Sequence, residues 1–134
     1  MFSSIEMPYG PQVLWPDHCV QGSFGAAFHK DLATDWADLI LRKGYRPGID
    51  SYSAFFENDH STATGLEGYL KTRGVRDVTF VGLATDYCVA YSALDAARLG
   101  FAVSVDTAQC RAIDMGGSLD QARRDMVAAK VSLL

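Results

Sequence analysis

No apolar run in this chain approaches the length needed to cross a bilayer, so a membrane-spanning helix is not expected. Clusters of lysine and arginine are also missing. Twelve basic residues stand against 16 acidic ones, a formal charge of −4, and this balance offers no electrostatic footprint for nucleic acid. Cysteine is scarce and odd in number: Cys19, Cys88 and Cys110 lack metal or redox spacing, and the opening MFSSIEMPYG lacks a basic-then-apolar leader. A reducing cytoplasm is therefore the expected setting. With no internal repeat, low-complexity tract or Pro/Gly linker, residues 1–134 are expected to form a single domain.

The most informative stretch is 78–89. Residues 78–83 form a short apolar run without alternation, as expected for a strand covered on both faces of a parallel sheet. A helix is expected over 87–99, where Val89, Ala90, Ala93, Leu94, Ala97 and Leu99 recur at helical spacing and Gly100 supplies a stop. Cys88 then falls in the first turn of that helix. A thiol there meets the positive end of the helix dipole and unpaired backbone N–H groups, which favour a thiolate and can bind the oxyanion formed when it attacks a carbonyl. Position alone leaves open the alternative of an inert packing thiol.

Around this centre, residues 1–12 read as an extended or turning lead-in because of Pro8, Gly10 and Pro11. Residues 38–44 read as a buried strand that delivers Lys43 to the carboxyl edge of a sheet, where ligands bind. A long loop over 45–59 carries Tyr52, Phe55 and Phe56, and helices are expected over 64–74 and 119–130, the latter with Ala122, Met126, Val127 and Ala129 inward. Strands are expected over 101–106 and 131–134. Trp36, Cys19 and Cys110 read as packing residues, His29 and His60 as surface, and Asp86 as a helix-entry cap. Alternating strands and helices of these lengths specify an α/β fold with a parallel sheet.

Three separated motifs carry a resemblance: Trp15-Pro16-Asp17-His18-Cys19-Val20-Gln21-Gly22, Arg42-Lys43-Gly44, and Gly82-Leu83-Ala84-Thr85-Asp86-Tyr87-Cys88-Val89. Together they strongly resemble the nicotinamidase/pyrazinamidase branch of the isochorismatase-like cysteine hydrolases, over nearly the whole chain. The resemblance implies a three-layer, doubly wound parallel sheet of isochorismatase-like, Rossmann-like type. It is expected to be truncated at the N-terminus, since the family's first strand, helix and second strand find no counterpart here.

The implied activity is hydrolysis of nicotinamide, and of pyrazinamide, to the acid and ammonia through a cysteine thioester, a reaction of NAD salvage. Cys88 would be the nucleophile and Lys43 the cation of an Asp-Lys-Cys triad. Ala84 and Cys88 would offer backbone amides to the carbonyl oxygen, after a cis peptide between Leu83 and Ala84. Trp15 would be a wall for the ring, flanked by Tyr52 or Phe55, with packing as the alternative for each. His18 would be one ligand of a divalent metal, zinc, with iron or manganese as alternatives. The remaining ligands, and the aspartate base in an Asp-x-Gln pattern, have no counterpart. The implied partners are a small-molecule amide and, through an exposed strand edge, further copies of the chain as a homo-oligomer. Two other readings stand beside this one: a related cysteine hydrolase acting on a carbamoyl or ureido compound, and a non-catalytic subunit that pairs with a complete partner.

Overall fold

The computed structural model describes residues 2–134. In chain order these form β1 (Ser4–Met7), β2 (Gly10–Val13), α1 (Leu66–Thr72), β3 (Asp77–Leu83), α2 (Ala90–Arg98), β4 (Ala102–Arg111), α3 (Ser118–Ala128) and β5 (Ser132–Leu133). β3, β4 and β5 make a parallel sheet in that order, with Phe80 beside Val105 and Val105 beside Leu133. α2 and α3 are the crossovers that parallel strands require.

The core lies between this sheet and the helices. Ala93 and Ala96 of α2, Val105 of β4 and Met126 of α3 have no exposed surface, and Leu66 and Leu70 of α1 pack against the same cluster. Alanines on the inner stripe of α2 let the helix backbone approach the strands closely. Gly100 ends the helix at φ +90°, a conformation that favours glycine.

The unbroken apolar run of β3 suggests burial on both faces, but only one is covered. Val78 and Phe80 pack against the core, while Val81 and Leu83 are 52% and 70% exposed. The expected strand over 38–44 is also not formed. A strand persists through its ladder partners, and no described strand lies beside this segment. The lead-in, by contrast, is more regular than its prolines suggest: β1 and β2 pair antiparallel, with Ser4 opposite Val13 and Met7 opposite Gly10.

Three packing expectations are corrected as well. Trp36 is 90% exposed, and Val127 is 61% exposed although Ala122 and Met126 on the same helix are buried. Residues 122 and 126 stack one turn apart, whereas residue 127 lies about 100° further round the helix, beyond the stripe that meets the sheet. Cys110 is buried as expected, but Cys19 is exposed.

Phe55 is 1% exposed in this core. Phe55→Ala is expected to cost about 3–5 kcal/mol of stability, and Val127→Ala less than about 0.5 kcal/mol, measured by equilibrium urea denaturation. A small loss at Phe55 would return that ring to a ligand-facing wall.

Candidate active site

β3 ends at Leu83, and the Leu83–Ala84 peptide is cis, as the motif implies. The Ala84 carbonyl accepts the N–H groups of Tyr87 and Val89, both at 3.1 Å, closing a π-helical turn, Thr85–Val89, that runs into α2. Cys88 therefore sits in a widened turn ahead of α2 and not in the first turn of a regular helix, and it is half-buried. Ser92 Oγ donates to the Cys88 carbonyl at 2.6 Å and accepts the Ala54 N–H at 2.9 Å. One hydroxyl thus ties the loop before α1 to the cysteine turn.

Lys43 reaches this turn from a segment with no ladder of its own. Its Nζ lies 3.6 Å from Cys88 Sγ and donates to the Ser51 carbonyl at 2.5 Å. Among the described residues no carboxylate is hydrogen-bonded to Lys43 or Cys88.

Asp86 reads in the sequence as a helix-entry cap, but its carboxylate turns towards the loop before α3. It accepts Ile113 N–H at 3.0 Å, Asp114 N–H at 2.8 Å and Ser118 Oγ–H at 2.5 Å, and it is buried. Burial by itself would raise its pKa. The Ser118 hydroxyl and the two backbone amides outweigh that effect and hold the carboxyl below the ordinary 3.8.

An aromatic cluster stands beside Cys88. The ring centroid of Trp15 lies 4.8 Å from that of Tyr87 and 6.4 Å from that of Tyr52, and Tyr52 lies 5.7 Å from Tyr87 and 5.1 Å from Tyr91. All four contacts are edge-on, the arrangement ring quadrupoles favour. Trp15 Nε1 donates to the Tyr52 hydroxyl at 2.8 Å. Burial pushes the phenols of Tyr52 and Tyr91 above their usual value, so both are neutral. Trp15 and His18 line a cavity of about 310 Å³, while Tyr52 and Tyr87 line a second of about 280 Å³. Tyr91 was not anticipated, although it stands four residues after Tyr87 and so on the same helical face.

Phe55 is elsewhere, packed on Phe80 and Phe101 in the core with centroids 6.4 and 6.0 Å away. Along the loop Ser51, Ser53, Phe55 and Glu57 are buried and the residues between them are not. Tyr52 thus lies on the open side of this stretch and Phe55 on its buried side, and the two do not share a wall.

His18 is exposed, and its Nδ1 lies 2.7 Å from the Pro16 carbonyl. A carbonyl only accepts, so Nδ1 carries the proton and Nε2 is left for a ligand, the kind of hydrogen bond that usually orients a metal-binding histidine. Among the described residues, however, no group of three or more His, Cys, Asp and Glu side chains is placed to hold an ion. The residues present therefore do not complete a metal centre.

Residues 6–131 match the isochorismatase domain, and the chain belongs to that family. Over 130 residues it is 54% identical to the nicotinamidase of Acinetobacter baylyi, an alignment covering 97% of this chain and 61% of the relative. Its fold matches a solved structure of the Acinetobacter baumanii nicotinamidase/pyrazinamidase with a TM-score of 0.97 at 53% identity, covering 99% of this chain and 64% of that one. It also matches the Pyrococcus horikoshii pyrazinamidase in complex with zinc, with a TM-score of 0.75 at 31% identity, covering 90% of this chain and 63% of that one. The fold is thus isochorismatase-like α/β, and the chain spans less than two thirds of the length of each of these relatives.

The folded-state pKa of Asp86 is depressed, so its contribution to stability is complete above the unfolded value near 3.8 and fades as pH falls through the folded value. Asp86→Asn is expected to cost about 2 kcal/mol at pH 7 by weakening charge-assisted hydrogen bonds. Thermal unfolding of both chains should show the gap narrowing below about pH 4. A gap that widens in acid would contradict an ionised, bonded Asp86.

Proposed function

We propose that this chain carries the nucleophile of an amidase site that hydrolyses nicotinamide, and pyrazinamide, to the corresponding acid and ammonia. The observation that carries this reading is the 3.6 Å approach of Lys43 Nζ to Cys88 Sγ. It joins two of the three sequence motifs, and the Trp15–Tyr87 contact joins the third.

On this reading a planar heteroaromatic amide packs against Trp15 and Tyr52, with its carbonyl oxygen near the backbone amides of Ala84 and Cys88. The Lys43 ammonium complements the thiolate, which attacks the carbonyl carbon. Ammonia leaves as the thioester forms, and water then releases the acid. His18 is assigned as one ligand of a divalent metal. The zinc-bound pyrazinamidase supports zinc, with iron or manganese as alternatives. Because the other ligands are not among the described residues, the steps above are derived without the ion.

The site residues do not include the aspartate that would exchange a proton with the thiol. This gap, with the open face of β3, supports reading residues 1–134 as one N-terminally incomplete isochorismatase-like domain. The same open face supports homo-oligomeric association. A cytoplasmic role in NAD salvage belongs to this proposal too. The missing carboxylate also favours a second reading, a non-catalytic subunit that pairs with a complete partner.

The test is ammonia release from nicotinamide by the 134-residue chain, by its Cys88→Ala variant, and by a version extended upstream with a strand–helix–strand segment. The expected result is activity in the extended version that Cys88→Ala abolishes. Turnover by the chain as it stands would show that a local carboxylate serves as base. Silence from the extended version would put the partner-subunit reading first.

A further inference from the structure

We propose that Gln12 is a positioning residue of this site: its buried side-chain amide fixes the Ser51–Tyr52 peptide whose carbonyl holds Lys43 against Cys88. The inference rests on reading Lys43 and Cys88 as the site, but not on turnover. Gln12 lies on β2, is 6% exposed, and appears in none of the three motifs.

The network around Gln12 closes on a single peptide group. The Ser51 carbonyl accepts Lys43 Nζ, and the N–H at the other end of that peptide, on Tyr52, donates to Asn58 Oδ1 at 2.9 Å. Asn58 Nδ2 donates in turn to Gln12 Oε1 at 3.0 Å. The preceding peptide is held as well, since Ser51 N–H donates to Asp50 Oδ1 at 2.7 Å and Gln12 Nε2 donates to Asp50 Oδ2 at 2.8 Å. One primary amide therefore holds Asp50 with its donor end and Asn58 with its acceptor end, and these two pin the peptides on both sides of Ser51.

The remaining contacts of Gln12 reinforce this orientation. Nε2 also lies 2.9 Å from the Val13 carbonyl and 3.1 Å from the Tyr52 hydroxyl, and Oε1 accepts Tyr9 O–H at 3.3 Å. The acceptors around Nε2 and the donors around Oε1 fix which end is nitrogen. Lys43 has no strand to hold its backbone in register, so the lever that sets its ammonium is the Ser51 carbonyl. Glutamine is required because the position needs a donor and an acceptor on one rigid plane. Glutamate keeps the acceptor but sets a carboxylate against Asp50, and methionine keeps the length but has no strong donor or acceptor.

The test uses the 134-residue chain and reads Cys88 directly. Alkylation by iodoacetamide at pH 7 is followed by peptide mass spectrometry, which separates Cys88 from exposed Cys19 and buried Cys110. The thiolate ultraviolet absorbance of each chain is taken as its difference from the matching Cys88→Ala chain. Gln12→Met and Gln12→Glu are each expected to slow Cys88 alkylation about tenfold and to reduce the thiolate absorbance, as Lys43→Met does, with Cys19 unchanged. In a Lys43→Met background, neither Gln12 substitution should slow Cys88 further, because the lysine through which Gln12 acts is gone.

Wild-type reactivity and absorbance in both Gln12 variants would overturn the proposal. So would a loss that adds in full to that of Lys43→Met, or a loss accompanied by rapid modification of core Cys110, which reports unfolding. Ammonia release with no Gln12 effect at Cys88 would sink this inference and leave the amidase reading standing. The expected Cys88 effects with no ammonia release from the upstream-extended version would do the reverse.

Discussion

Burial of one face of β3 and β4 against α2 and α3 is the constraint on which the remaining structure depends. Val105 and Met126 are sealed between strand and helix, and the alanines of α2 let the layers close to contact. Once that face is fixed, the carboxyl end of β3 has one place to turn, and the chain reverses through Ala84 into the π-helical turn that carries Cys88. Asp86 then locks the turn from behind by gathering two backbone amides from the loop before α3 and the hydroxyl of Ser118, the first residue of that helix. The position of Cys88 is thus a consequence of core packing transmitted through one buried carboxylate.

The second component of the site is held by different physics. The segment around Lys43 has no ladder, few buried side chains and many exposed apolar ones, among them Leu39 and Ile40. What locates the ammonium is the loop over 50–58, whose buried side is sealed into the core by Phe55 and whose polar side is tied to the β1–β2 hairpin. Phe55 therefore serves the site without touching a ligand. It anchors the strip of chain that presents Tyr52 and the Ser51 carbonyl on the other side.

Legibility in the sequence followed the range of the interactions involved. α2 and α3 were readable because their period is local, whereas the cis peptide and the placing of Lys43 and Trp15 at the site came through the family resemblance that their motifs carry. Features that depend on a distant partner were not readable. Residues 38–44 have the composition of a strand but no neighbour to pair with. Val81 and Leu83 belong to an apolar run whose outer side is open, and Gln12 matters only through Asp50 and Asn58, some forty residues away. Nothing local separated Tyr52 from Phe55, because the buried positions of 51–57 are Ser51, Ser53, Phe55 and Glu57, which show no apolar alternation.

The contact between Lys43 and Cys88 also locates where a missing carboxylate would matter most on the amidase reading. A thiolate attacks a carbonyl without further help, so once the Cys88 proton is gone, formation of the tetrahedral intermediate draws only on residues present here. Collapse to the thioester is different, because an amide nitrogen leaves as ammonia and must first acquire a proton. Among the described residues Lys43 is the only charged group hydrogen-bonded to the sulfur, and a proton taken from it would leave a neutral amine where the next thiolate needs a cation. A carboxylate beside the pair resolves that conflict by carrying the thiol proton to the leaving nitrogen while the ammonium stays charged. Its absence from the partners of Lys43 and Cys88 therefore bears on both removal of the thiol proton and the departure of ammonia.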